Sequence, residues 1–249
     1  EQIKAQLLQV EQHRNRLRTR RKKEGTITVA LVGYTNAGKS TLLNFLTQAG
    51  VLAENKLFAT LDPTSRALKL PNGVSVMLID TVGFVRRLPH HLVEAFKSTL
   101  EEAAFADIII NVCDASNPEF TLHIDVTEKL LSELGCGGKP IITALNKIDV
   151  VQEIDFNTLQ SNSGFSGDKV KISAKTGFGI DNLLAAVEDN LPVKVYRCKL
   201  LLPFSHGGIS AEIRKNATLI SEEYTDEGLL IEAVLDEPMW QRFKEFEKV

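Results

Sequence analysis

Long apolar runs are missing from this chain of 249 residues. No stretch reaches the ~20 consecutive apolar residues that a membrane-spanning helix needs, so no membrane span is expected. Cysteine is scarce: Cys113, Cys136 and Cys198 lie far apart and form no C-x-x-C pair. That spacing reads as reduced thiols in a cytosolic protein. The polar N-terminus lacks an apolar stretch followed by a small-residue cleavage site, which argues against a signal peptide. Glu1 rather than Met opens the chain, as expected for a piece of something longer. Internal repeats and low-complexity tracts are also absent. What remains is ordinary for a soluble globular chain, 43% hydrophobic and 24% charged, and long enough to bury a sizeable core. A cytoplasmic monomer is the expectation.

Charge is unevenly spread. The first 24 residues carry eight Lys/Arg against three Glu, so a basic arm precedes an acidic body. Ile3, Leu7, Val10 and Leu17 form a thin apolar stripe at helical spacing, so 1–23 reads as a helix that must pack on something to be stable.

From Thr26 onward apolar runs alternate with helical patterns. Val29–Val32 ends at a glycine-rich turn, and Ser40–Leu46 continues as helix. Arg66–Leu70 and Val74–Ile79 flank Pro71-Asn72-Gly73, and Asn-Gly predicts a tight antiparallel hairpin. Ile108–Ile110 and Ile141-Ile142 are short continuous runs of the kind found in buried parallel strands. Phe120, Ile124, Leu131 and Leu134, and later Ile180, Leu183, Leu184, Val187 and Leu191, recur at helical spacing. The alternation predicts an α/β fold, a doubly wound and mostly parallel sheet. Pro192 marks a boundary. Beyond it come strands over Lys199–Pro203, Thr218–Tyr224 and Gly228–Leu235, and helices over Ser205–Lys215 and Glu237–Glu247. The expected division is a connecting helix over 1–24, a main domain over 25–192 and a small α+β C-terminal module over 193–249. Trp240 and Phe243, three apart, read as core.

Gly33-Tyr34-Thr35-Asn36-Ala37-Gly38-Lys39-Ser40-Thr41 fits G-x-x-x-x-G-K-[ST] between a strand and a helix. Its glycines let backbone N–H groups curl around phosphate oxygens. Lys39 supplies charge to the β- and γ-phosphates, the Ser40 hydroxyl ligates magnesium, and the helix N-terminus adds partial positive charge. Asp80-Thr81-Val82-Gly83 ends the next buried strand. Its carboxylate can hold the metal through water, and the Gly83 N–H can sense a γ-phosphate. D-x-x-G is weak alone and strong at a strand end after a P-loop.

Asn146-Lys147-Ile148-Asp149 follows the strand Ile141–Leu145. Guanine presents N1–H and an exocyclic amine side by side, and a carboxylate such as Asp149 accepts from both. Asn146 can bond the other edge and the loop backbone, while the Lys147 stem covers the ring. Ser173-Ala174-Lys175, after Val170–Ile172, can place a backbone N–H on the guanine O6. In Phe58-Ala59-Thr60-Leu61-Asp62, Thr60 is the candidate first-switch threonine and third metal contact, with Thr64 its rival. Lys39, Thr60 and Gly83 are the candidate catalytic residues. The residue after D-x-x-G is Phe84, where many GTPases carry a water-orienting Gln. Asn36 has two readings: an oxygen that holds a potassium ion near the phosphates, or a loop stabiliser.

These motifs, with Phe-Ala-Thr-Leu-Asp-Pro-Thr from Phe58, Asp-Thr-Val-Gly-Phe from Asp80 and Asp114-Ala115-Ser116, closely resemble the HflX family of P-loop GTPases. Phe84–Phe96, with Leu88-Pro89-His90 and Glu94-Ala95-Phe96, resembles its second switch. The resemblance covers about 25–192, reaches upstream to the basic helix, and is less specific downstream. It implies GTP and GDP as ligands, magnesium-dependent hydrolysis, and association with the large ribosomal subunit, in some members with ribosome splitting. The resemblance implies that residues 1–24 are the end of the helix that connects to the family's N-terminal domain. Two other readings stand beside hydrolysis: a GTP-sensing scaffold that does not hydrolyse, and a partner GTPase in RNA modification. Adjacent His90 and His91 point ~100° apart on a helix and read as solvated rather than metal-binding. His13 reads as surface. Arg86 and Arg87 fit solvated charges and phosphate contacts equally.

Overall fold

The computed structural model describes Arg16 and residues 26–47, 64–84, 102–151 and 167–248. The stripe over 1–23, the histidine pair and Arg86-Arg87 lie outside these residues, apart from Arg16. So do the Phe58–Asp62 loop and the second-switch segment beyond Phe84. The chain divides into two compact units, Glu1–Leu68 with Val76–Asn190, and Lys69–Ser75 with Leu191–Val249.

The first unit is built on a six-stranded sheet. In chain order its strands are β1 (Ile27–Val32), β2 (Thr64–Lys69), β3 (Ser75–Asp80), β4 (Ile108–Asp114), β5 (Ile141–Asn146) and β6 (Lys169–Lys171). Their spatial order is β2-β3-β1-β4-β5-β6. The pairs β3–β1, β1–β4, β4–β5 and β5–β6 are all parallel. Parallel strands are covered on both faces, so their residues need no alternation. β5 is buried at every position, and β4 at all but Asp114. The turn after β2 is closed by Leu70 and Val74, with the Val74 N–H donating to Asn72 Oδ1 at 3.0 Å. Asn-Gly thus makes the expected hairpin, and its two strands begin and end within two residues of the ranges read from sequence. Thr64, the rival switch threonine, is the first residue of β2.

Helices of this unit include α1 (Lys39–Thr47), α2 (Phe120–Glu133) and α3 (Ile180–Asp189). α2 buries Ile124, Thr127, Glu128 and Leu131, and α3 buries Ile180, Leu183, Ala186 and Val187. The α2 set follows the i, i+3, i+4, i+7 spacing of one helix face, and the α3 set recurs at steps of three and four residues along one face. Because the main strands run the same way, β1, β3, β5 and β6 all release their loops at one edge. That edge, beside the point where the strand order reverses, is where ligands bind in open α/β sheets.

The second unit carries β7 (Val195–Leu202), β8 (Thr218–Thr225) and β9 (Gly228–Asp236), an antiparallel sheet ordered β7-β9-β8. Cys198, Leu200 and Leu202 alternate inward and pack with Ile231, Ala233, Leu235, Met239 and Phe243. α4 (Gly207–Asn216) and α5 (Glu237–Phe243) complete it. Asp236 caps α5 by accepting from the Met239 N–H at 2.9 Å. The closing helix expected to Glu247 stops at Phe243 and continues as a 3₁₀ turn over Lys244–Phe246. The Lys248 N–H then donates to the Lys199 carbonyl at 2.8 Å, so pairing along β7 draws the chain out of the helix. Phe243 is core, as read from sequence. Trp240 is half-buried instead. It stacks on Tyr196 with centroids 4.3 Å apart and donates Nε1–H to Glu247 at 3.1 Å. An indole N–H needs a partner, which favours this edge position over the dry interior.

Cys113, Cys136 and Cys198 are buried free thiols. Burial, reinforced by Asp114, pushes the Cys113 thiol up to about 12, so it stays protonated and unreactive. Among the described residues no helix is long and apolar enough to cross a membrane.

Candidate functional site

The loop from β1 to α1 is a tight cradle. Gly38 has φ +99°, and a Cβ there would lie 2.2 Å from Asn146 Nδ2, so only glycine fits. Asn36 is also left-handed at φ 63°, a conformation that asparagine tolerates better than most residues. Lys39 is buried. Its ammonium donates to the carbonyls of Gly33 at 3.0 Å and Tyr34 at 2.9 Å. Burial pushes that ammonium down to about 8, and the nearby Asp80 carboxylate opposes the fall.

Asp80 ends β3 and accepts the Ser40 hydroxyl at 2.8 Å. Thr81 turns inward, its hydroxyl donating to the Leu31 carbonyl at 2.7 Å. Gly83 then passes close over the cradle. A Cβ on it would come within 2.8 Å of Lys39 Nζ and of the Thr35 backbone. Phe84 ties the segment down: its N–H donates to the Gly33 carbonyl and its carbonyl accepts the Thr35 N–H, both at 2.9 Å.

The other half of the site comes from β5 and β6. The Asn146 amide donates to the Ala37 carbonyl at 2.8 Å and accepts the Ala174 N–H at 2.9 Å. One side chain thereby joins the cradle to the loop after β6. Asp149 is exposed and oriented by the Ser173 hydroxyl, which donates to its Oδ1 at 2.7 Å. Lys147 adopts a left-handed turn, φ 67°, and pairs with Asp114 at 2.6 Å. Thr41 lies in the first turn of α1, Ile148 opens a 3₁₀ turn through Val150, and Lys175 is exposed beside buried Ala174.

The described candidates from the four motifs therefore meet at one sheet edge. Phe58, Ala59, Thr60, Leu61 and Asp62 lie outside the described residues. Sequence reading missed three contacts: Ser173 on Asp149, Asp114 on Lys147, and Tyr34 stacked on His123 at 3.9 Å. Each joins residues brought together only by the fold.

A phosphate cradle with a D-x-x-G strap and an N-K-x-D loop on a mostly parallel sheet defines the P-loop GTPase fold. The family model described as a 50S ribosome-binding GTPase matches residues 28–147. The protein named GTPase HflX from Akkermansia muciniphila is 44% identical over 99% of this chain and 57% of its own length. GTPase HflX from Lacrimispora saccharolytica is 48% identical over 93% of this chain and 54% of its own length. Among solved structures, a GTP-binding protein from Sulfolobus solfataricus in complex with GDP is 28% identical, with TM-score 0.56, over 76% of this chain and 60% of that one. NFeoB from S. thermophilus, bound to GDP.AlF4- and K+, is 27% identical, with TM-score 0.52, over 66% of this chain and 61% of that one. The chain belongs to the HflX family of GTPases. It spans little more than half the length of these HflX relatives.

Proposed function

We propose that this chain binds GTP and GDP, hydrolyses GTP with magnesium, and associates with the large ribosomal subunit. The observation that carries the nucleotide reading is the Asn146 amide, bonded at once to Ala37 of the phosphate cradle and Ala174 of the loop after β6. It joins the cradle and the loop after β6 at a fixed spacing, which suits a nucleotide. Asp149 supplies the acceptor for guanine N1–H and the N2 amine, with Lys147 over the ring and the Ala174–Lys175 backbone near O6. The backbone N–H groups of 38–41, at the start of α1, and the Lys39 ammonium take the phosphates.

The donor set fits magnesium. Ser40 Oγ and Asp80 offer hard oxygens 2.8 Å apart beside the cradle, and Mg²⁺ characteristically takes one or two protein oxygens together with phosphates and water. Held there by Ser40 and Asp80, the ion would neutralise charge on the phosphates. Thr60 is assigned as a further contact from sequence alone. Among protein groups, Lys39 stabilises charge that develops on the transferred phosphoryl, and the Gly83 N–H bonds the γ-phosphate, a role supported by the close pass of Gly83 over Lys39. Asn36 is proposed as a potassium ligand, supported by its left-handed turn in the cradle and by the K⁺ in the NFeoB structure.

The ribosomal reading is supported by the family description and by the basic arm, where Arg14, Arg16, Arg18, Arg20, Arg21, Lys22 and Lys23 surround a predicted helix. The test is phosphate release from GTP, in potassium and in sodium, with and without large ribosomal subunits, alongside co-sedimentation. Release stimulated by the subunit supports the proposal. Binding without release leaves a sensing scaffold. Loss of co-sedimentation in Arg18→Ala/Arg20→Ala/Arg21→Ala, with GTP binding intact, places the contact on the arm. Equal rates in the two salts remove potassium.

A further inference from the structure

Asp114 is the last residue of β4 and stands opposite Asn146 in the parallel register. Both of its carboxylate oxygens are engaged. Oδ1 accepts the Ser116 N–H at 3.0 Å and the Ser116 hydroxyl at 2.5 Å. Oδ2 receives the Lys147 ammonium at 2.6 Å. Such a carboxylate is held in one orientation before any partner arrives. The pair is also partly sheltered, with Lys147 29% and Asp114 19% exposed at the side chain.

The contact sets where Lys147 goes. Adjacent strands are ~4.8 Å apart, less than the reach of a lysine stem. An ammonium anchored on the next strand end therefore draws its methylenes down across the strand ends rather than out into water. A second carboxylate, Asp149, lies two residues beyond Lys147 and is oriented by Ser173. Were the ammonium to settle there, it would neutralise the acceptor that guanine requires. Asp114 competes for the same charge and wins by position, since Ser116 on Oδ1 already fixes its orientation.

We propose that Asp114 is a positioning residue for guanine recognition. It pins the Lys147 ammonium on the end of β4, lays the lysine stem over the base, and keeps the Asp149 carboxylate open to guanine. This rests on the nucleotide reading above. The role is indirect, exerted through Lys147, and that makes it separable from general support of the fold.

The test is a double-mutant cycle read by titration with fluorescent GDP and with fluorescent ADP as control. Asp114→Asn keeps the shape and an acceptor for Ser116 but removes the charge. It is expected to weaken GDP binding about fivefold, as for a well-placed, partly exposed ion pair. Asp114→Glu is expected to recover most of the loss. Lys147→Met is expected to weaken GDP binding, and adding Asp114→Asn to it is expected to change nothing further. Wild-type affinity in Asp114→Asn, or an undiminished effect in the Lys147→Met background, overturns the proposal. Should Asp114→Asn fail to fold, Lys147→Met reads the same contact from its other end, and wild-type GDP affinity there overturns it too. A wild-type protein that binds GDP no better than ADP overturns the nucleotide reading and this inference together. Failure in the variants alone overturns only the inference.

Discussion

The side chain of Asn146 donates to the carbonyl of Ala37 at 2.8 Å across 109 residues of sequence, inside the protein. Its oxygen takes the Ala174 N–H in turn, so both halves of the amide are spent on backbone. Asn146→Ala leaves a buried carbonyl and a buried N–H without these partners, each costing about 1–3 kcal/mol. We expect a clear fall in Tm measured without nucleotide, and GDP affinity lowered by more than tenfold. A variant that melts and binds like wild type contradicts the joint between the two half-sites.

Asp149 is exposed and held by Ser173, which leaves its carboxylate free to face a ligand. Asp149→Asn replaces one acceptor with a donor and sets it against a guanine donor. Loss of paired, charge-assisted bonds is expected to cost about 2–4 kcal/mol in GTP affinity. Preference is expected to move toward xanthosine nucleotides, whose base offers an acceptor in place of the amine. Competition between GDP and XDP measures this, and unchanged GDP preference sinks the assignment.

Lys39 gives a pH dependence with a definite sign. Burial lowers its ammonium from the ordinary 10.5 to about 8. The fold thus favours the neutral amine, and this residue's contribution to stability rises with pH between those two values. Nucleotide phosphates favour the charged form and pull the other way. GDP binding is therefore expected to take up a proton at pH 8.5 and almost none at pH 6.5, and affinity is expected to fall as pH rises above about 8. Calorimetry in buffers of different ionisation enthalpy counts the proton directly. No uptake at pH 8.5 contradicts the assignment of Lys39 to the phosphates.

The sheet and its loops were legible in the sequence wherever chemistry dictates residue type and spacing. Gly38 must be glycine, because the Asn146 amide occupies the space of its side chain, and that need is written in G-x-x-x-x-G-K-S. The continuous apolar runs of β4 and β5 likewise follow from burial on both faces. Contacts between distant loops left no such mark. Nothing in the spacing of Asp114 and Lys147 announces an ion pair 33 residues apart, and His123 gave no sign of its stack on Tyr34. The end of α5 was also hidden. Helical periodicity continues past Phe243, and what stops the helix is the pairing of Lys248 with Lys199 on β7.

Phe84 occupies the place where many GTPases carry the glutamine that orients the attacking water. Here that side chain does not face the phosphates. It is 1% exposed and packs with Ala30, Val32, Ala103, Ala106, Ile109 and Leu131. Its backbone meanwhile binds Gly33 and Thr35 of the cradle. The position is thus structural on the side-chain side and site-forming on the backbone side, and substitutions separate the two. Phe84→Ala opens a cavity in the core, with an expected cost of about 3–5 kcal/mol in stability. Phe84→Leu keeps most of the volume and is expected to cost about 1–2 kcal/mol. Phe84→Gln is the informative variant. If the position merely lacked its catalytic amide, restoring one would speed hydrolysis. The burial of Phe84 argues otherwise, because an amide placed there loses its water without gaining a partner. We expect Phe84→Gln to lower Tm at least as much as Phe84→Leu and to leave basal phosphate release no faster than wild type. Single-turnover GTP hydrolysis beside thermal melts decides it: an accelerated Phe84→Gln protein of unchanged stability would mean that this side chain can turn outward to the phosphates, and that water is placed from residue 84 after all.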